Sequence, residues 1–138
     1  MKQIIFKAAV CLSLSSIACS AAFAAPPPPN LQQFIRDQVG LQLLDGSSAQ
    51  YRWPDYNPKG TVYVTYCGFV NAKNAYGGYV GFRPFKIEII LDSKKDFDVM
   101  GKPLLLRPSV DMVDNIMYNH VKESCLEAGI DISKTPPR

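Results

Sequence analysis

Tyr63-Val64-Thr65-Tyr66-Cys67-Gly68-Phe69-Val70-Asn71-Ala72-Lys73-Asn74-Ala75-Tyr76-Gly77-Gly78-Tyr79-Val80-Gly81-Phe82-Arg83-Pro84-Phe85 reads as two β-rich runs around a polar turn. Over residues 61–70, β-branched and aromatic residues alternate. Val62, Val64 and Tyr66 fall on one face and Tyr63, Thr65 and Cys67 on the other, the pattern of a strand partly covered on both sides. Residues 71–76 are turn-rich, Gly77-Gly78 restarts the chain, and 79–91 is the longest strand candidate. It is interrupted at Arg83-Pro84, because proline cannot donate to a ladder and marks a bulge or a bend. The two runs together predict a hairpin.

Towards the C-terminus, 92–98 is a charged turn, Val99 a short strand end, Gly101-Lys102-Pro103 another turn, and 104–106 an edge strand or a core plug. A helix follows. Ser109 after Pro108 suits the N-cap, Asp111 and Asp114 fall where the helix dipole favours acids, and Gly129 suits the stop. Val113, Met117, Val121 and Cys125 recur every four residues and predict one buried stripe. If that stripe packs on the sheet, Cys125 meets Cys67. Residues 130–138, ending in Pro136-Pro137, read as a short frayed tail, with 133–138 outside the domain.

On the other side of the hairpin, Asn30 reads as an N-cap with Gln33 placed for a capping box. Leu31, Phe34, Ile35, Val39 and Leu43 then predict an amphipathic helix over 31–44, disturbed at Gly40. Arg36 is the only cation on its polar face, too little for a membrane-surface helix. Asp45-Gly46-Ser47-Ser48 is a turn, 49–53 a first strand closed by Pro54, and 55–60 a loop. Trp53 and Tyr56 either seal the edge of a small core or form a ligand-binding pair; sealing is the commoner use.

The N-terminus is an export signal. Lys2 and Lys7 form a positive n-region, residues 8–17 an apolar stretch, and Ala22-Phe23-Ala24 an A-x-A site, so 1–24 is expected to be removed as a signal peptide. The apolar stretch is shorter than the roughly 20 residues a membrane-spanning helix needs. A lipoprotein reading at Cys19 lacks the usual leucine three positions earlier, and an A-x-A site follows it. Cleavage leaves 138 − 24 = 114 residues, sufficient for one domain over 30–132 preceded by an extended proline spacer at 25–29. The exported chain has 13 basic and 12 acidic residues, a net charge near +1 with no basic block. Binding to nucleic acid, which rests on clustered phosphate neutralisation, is therefore disfavoured. Only Cys67 and Cys125 survive cleavage, and two thiols in an oxidising compartment most simply form one disulfide.

Catalytic and metal motifs are weak throughout. His120 is the only histidine and sits beside the helical stripe, and no serine lies in a nucleophile elbow. The glycines at 68, 77, 78 and 81 precede a strand and lack a Gly-Lys-Ser/Thr, so they are no phosphate loop. Asp92, Asp96 and Asp98 lack the glycine and terminal glutamate of a calcium loop and are balanced by Lys94 and Lys95. No cofactor or metal is expected. The candidate recognition residues are Asn71, Lys73 and Asn74 with Tyr76 and Tyr79, which offer hydrogen-bond donors beside rigid apolar area. The competing reading is that both asparagines only satisfy turn backbone.

These residues also carry a resemblance. Leu44-Asp45-Gly46-Ser47-Ser48-Ala49-Gln50-Tyr51-Arg52 and the segment from Cys67 to Phe85 resemble a pattern of small exported bacterial proteins of unknown function. In that pattern a D-P-x-S-A-x-F/Y-R segment precedes C-G-x-V-N-A-K-N-x-x-G-G-Y-x-G. The chain departs from it at Gly46, where proline is usual, and at Phe69, where an acid is common. The resemblance implies an exported bacterial protein and no particular chemistry.

The expectation is thus a single α+β domain: a small antiparallel sheet of three or four strands, an N-terminal and a C-terminal helix, and one disulfide. Its expected role is a non-enzymatic binding or accessory module of the envelope, periplasmic or released. Its expected partner is a protein, peptide or glycan, with no transmembrane segment in the exported chain. The rivals are a small periplasmic enzyme using Lys73 or His120 with a nearby aspartate, and a structural component of a secretion or surface assembly marked by a large apolar patch.

Overall fold

The computed structural model describes residues 25–58, 62–92, 96–106 and 112–134, so the signal segment, Ser109, Asp111 and the last four residues lie outside the described residues. The chain runs α1 (Pro29–Gly40), β1 (Gln50–Arg52), β2 (Tyr63–Asn71), β3 (Arg83–Leu91), β4 (Phe97–Val99), β5 (Leu104–Leu105) and α2 (Met112–Glu127). The sheet is an antiparallel meander in the order β1-β2-β3-β4. Three or four strands were expected; the fifth is the two-residue β5, which shares the outer edge of β3 with β4. Residues 104–106 are therefore both edge strand and plug, since Leu106 is buried.

The predicted β2–β3 hairpin forms, with Val64 opposite Ile89, Tyr66 opposite Ile87 and Gly68 opposite Phe85. Strand β3 starts at Arg83 and not at Tyr79, with Pro84 as its second residue. Strand alternation then sorts the sheet. Tyr51, Tyr66, Phe85, Ile87 and Ile89 share one face, against α1 through its buried Leu31, Ile35 and Val39. Cys67 is on the other face, bonded to Cys125 of α2 with the Cα atoms 5.9 Å apart. The two helices thus cover opposite faces of one sheet. Trp53 stacks on Tyr51 at 5.3 Å and Tyr56 meets Tyr66 edge-on at 6.0 Å, so both seal the aromatic core as the commoner reading had it.

Both ends of the domain differ from expectation. Residues 25–29 are no free spacer: Pro27 is fully buried, the Gln32 amide donates to its carbonyl at 2.7 Å, and the Tyr56 N–H donates to the Ala25 carbonyl at 2.8 Å. Pro28 is the N-cap and Pro29 the first helical residue, where a missing N–H costs nothing, so Asn30 lies inside the helix and Gln33 bonds to Asp37 instead of closing a capping box. The helix stops at Gly40, short of Leu44, because the chain returns across it: a Cβ on Gly46 would stand 2.6 Å from the Gly40 carbonyl oxygen.

In α2, Val121 and Cys125 are buried as predicted, Met117 is 47% exposed, and the side chain of Val113 lies outside the described residues. Gly129 adopts φ +88° and the Ile130 N–H donates to the Cys125 carbonyl, a Schellman closure that turns Ile130 and Ile132 into the core. Residues 130–132 are therefore docked, where a frayed tail was expected. Between the two isoleucines, Asp131 accepts bonds from the Ser133 hydroxyl and N–H and pairs with Lys134. The Ser133 hydroxyl, foremost among these partners, lowers its pKa from the ordinary 3.8 to about 2. A depressed carboxylate pKa stabilises the fold above the unfolded value and loses that contribution as pH falls through the folded value. Protection from hydrogen exchange at Ile130 and Ile132, corrected for the intrinsic pH dependence of exchange, is accordingly expected to fall between about pH 4 and pH 2, and Asp131→Asn to remove most of that dependence.

Candidate functional site

The 72–81 segment continues the β2–β3 hairpin as an arm. Ala72 accepts from the Val80 N–H, Lys73 bridges Tyr79, and the Asn74 N–H donates to the Gly78 carbonyl at 2.8 Å. Gly77, at φ +80°, supplies the left-handed position that closes the tip. Each expected recognition residue has a definite place on it. Asn71 is buried: its Oδ1 accepts from the Gly81 N–H at 2.9 Å and its Nδ2 donates to Gln50. Asn74 Oδ1 accepts from the N–H groups of Tyr76 and Gly78, both at 3.0 Å. Both asparagines therefore serve the arm's own backbone and position the other three residues.

Of those three, Tyr76 and Tyr79 are exposed and Lys73 is half-buried. Tyr76, at the tip, is 97% exposed. Tyr79 is 45% exposed and donates its hydroxyl to the Ser48 carbonyl at 2.9 Å, latching the arm to the 41–48 loop, while the Lys73 ammonium lies 5.5 Å from the centre of its ring. The loop has its own lock. The Asp45 carboxylate accepts from the Ser48 and Ser47 hydroxyls and the Ser48 N–H; these bonds lower its pKa, with Lys73 adding a smaller electrostatic pull. Leu41 and Leu44, in the same loop, are 77% and 76% exposed. Sequence reasoning missed this apolar component, because it assigned both leucines to a helix. The Gly40 stop beside the Asp45-Gly46-Ser47-Ser48 turn is the signal that would have released them.

Lys73 and Asp45 influence each other, but they lie on an open surface; the groove of about 410 Å³ beside the loop is lined by neither. His120 is exposed on α2, with its carbonyl accepting from Ser124. Among the described residues there is no group of three or more histidine, cysteine, aspartate or glutamate side chains able to hold a metal, and no helix long and apolar enough to cross a membrane. The fold and site define an α+β domain with helices on opposite faces of a meander sheet, one disulfide and a braced arm. No family model, curated protein or solved structure matches the chain.

Proposed function

We propose that this chain is an exported, non-enzymatic binding or accessory module of the bacterial envelope, periplasmic or released after removal of residues 1–24. It meets a protein, peptide or glycan partner through the end of the domain formed by the arm and the 41–48 loop. The observation that carries this reading is the exposure of Tyr76 (97%), Leu41 (77%) and Leu44 (76%) on segments that spend their polar groups holding one another in place. A fixed turn presents an aromatic ring at low entropic cost, and exposed apolar groups on a braced scaffold suit recognition. The two segments that carry the family resemblance also meet at this end, through Tyr79 and Ser48 and through Asn71 and Gln50.

A pull-down from envelope extract tests it with two variants. Tyr76→Ser is expected to change stability by less than about 0.5 kcal/mol, because the side chain contacts little, and to lose the partner. Asn71→Ala is expected to cost about 0.5–1.5 kcal/mol by removing the acceptor of the Gly81 N–H, and to weaken capture by loosening the arm. Recovery of the same partner by wild type and a folded Tyr76→Ser protein sinks the proposal. The same leucines would suit a structural component of an assembly; self-association of the purified protein through Leu41 and Leu44 would favour that role.

A further inference from the structure

Beside the loop, on the α1 side, a groove of about 410 Å³ is lined by Gln33, Arg36, Asp37, Gly40, Ser47 and Tyr51, among others. Gly40 and Gly46 line it where their backbones pack together, leaving no room for a side chain on Gly46. The volume is within the roughly 300–1,000 Å³ typical of small-ligand sites. Arg36 is the unusual member. Its guanidinium lies 4.9 Å from the Tyr51 ring centre and 5.2 Å from that of Trp53, two rings stacked within 7° of parallel. These cation–π contacts hold the guanidinium at the rings, and among the described residues no carboxylate pairs with it. Asp37 is exposed, and Gln33 donates to one of its oxygens at 2.8 Å, leaving the other without a partner among the described residues.

A guanidinium and a carboxylate on one small groove give it no net charge, which disfavours polyanions such as phosphate and favours a ligand carrying both signs. We propose that this groove binds a small zwitterion of the amino-acid or short-peptide class, its carboxylate on the Arg36 guanidinium and its ammonium on the Asp37 carboxylate. Arg36, Asp37 and Tyr51 all line this one groove. The Tyr51 hydroxyl donates to the Arg36 carbonyl at 3.3 Å, and burial raises its pKa to about 12, so it remains a neutral wall of the site.

The test is an NMR titration of the purified protein with alanyl-alanine in its L,L and D,D forms, the C-terminal amide, the N-acetyl derivative and inorganic phosphate. Saturable shifts at the amides of Gly40, Gly46 and Ser47 are expected with at least one dipeptide. Removing the ligand carboxylate should weaken binding at least about tenfold, as should Arg36→Gln. Asp37→Asn, an exposed change that leaves the fold intact, should weaken the dipeptide without affecting its N-acetyl derivative. The Tyr76→Ser protein should bind like wild type, which separates this site from the arm. No saturable shift with any dipeptide, equal binding of the amide, or phosphate binding as tightly as the dipeptide overturns the proposal. If Arg36→Gln unfolds, the amide and Asp37→Asn comparisons decide alone.

Discussion

Removing the disulfide with Cys67→Ala and Cys125→Ala is expected to cost about 4 kcal/mol and to lower the melting midpoint by roughly 15–25 °C. The first figure follows from the sequence separation of 58 residues between the bonded cysteines, because the bridge restricts the unfolded chain over that whole loop. For one domain, whose total stability is about 5–15 kcal/mol, that is a large fraction. The bond also carries much of the attachment of α2. Among the described side chains of α2, Val121 and Cys125 are buried, whereas Ile116, Met117 and Leu126 remain 65%, 47% and 46% exposed. Hydrogen exchange in the double variant should therefore rise in α2 and at Ile130 and Ile132 before it rises in β2 and β3. Uniform acceleration across the sheet would show that α2 is held by packing alone. Both sulfur-bearing residues are wholly buried, so reductant should open the bridge slowly in native buffer and quickly in denaturant.

What could be read in advance was whatever repeats along the chain. The alternation in 61–70 located β2, the four-residue spacing of Val113, Met117, Val121 and Cys125 located the inner face of α2 at its last two members, and the meeting of two local readings at Cys67 and Cys125 was sound. The ends of the domain escaped because their structure depends on space left by other elements. Pro27 is buried by segments met only after folding, and proline composition carries no sign of it. Ile130 and Ile132 did leave a trace, since an apolar residue directly after a helix-stopping glycine is the hydrophobic half of a Schellman closure. At the site, residue type indicated hydrogen bonding but not its direction. Asparagine bonds its own turn as readily as a partner, and Asn71 and Asn74 do the former. The exposed leucines were hidden by a helical periodicity that the Gly40–Gly46 crossing cuts short.

Gly68 and Phe85 form the core contact whose disruption should cost most among single packing changes. They are opposite one another in the β2–β3 register, and the ring fills the space beside the glycine: a Cβ on Gly68 would stand 2.6 Å from Phe85 Cζ and 3.3 Å from the Arg52 carbonyl oxygen. Glycine in a strand weakens it, yet here the missing side chain is the space the ring fills. Phe85 is fully buried and touches Tyr51, Trp53 and Tyr66, so Phe85→Ala is expected to cost about 3–5 kcal/mol through lost transfer energy and the cavity left behind. Gly68→Ala alone should cost about 1–3 kcal/mol, since the ring must move within an aromatic cluster that has nowhere to yield. Combining them distinguishes this geometry from two independent defects. In Gly68→Ala with Phe85→Leu the added methyl enters space the shorter side chain leaves, so the double variant should be more stable than the sum of the singles by about 1 kcal/mol. Strict additivity in denaturant melts would mean that the ring is not held against Gly68. It would also remove the packing reason for a glycine at this point of β2, one residue after the cysteine that ties the sheet to α2.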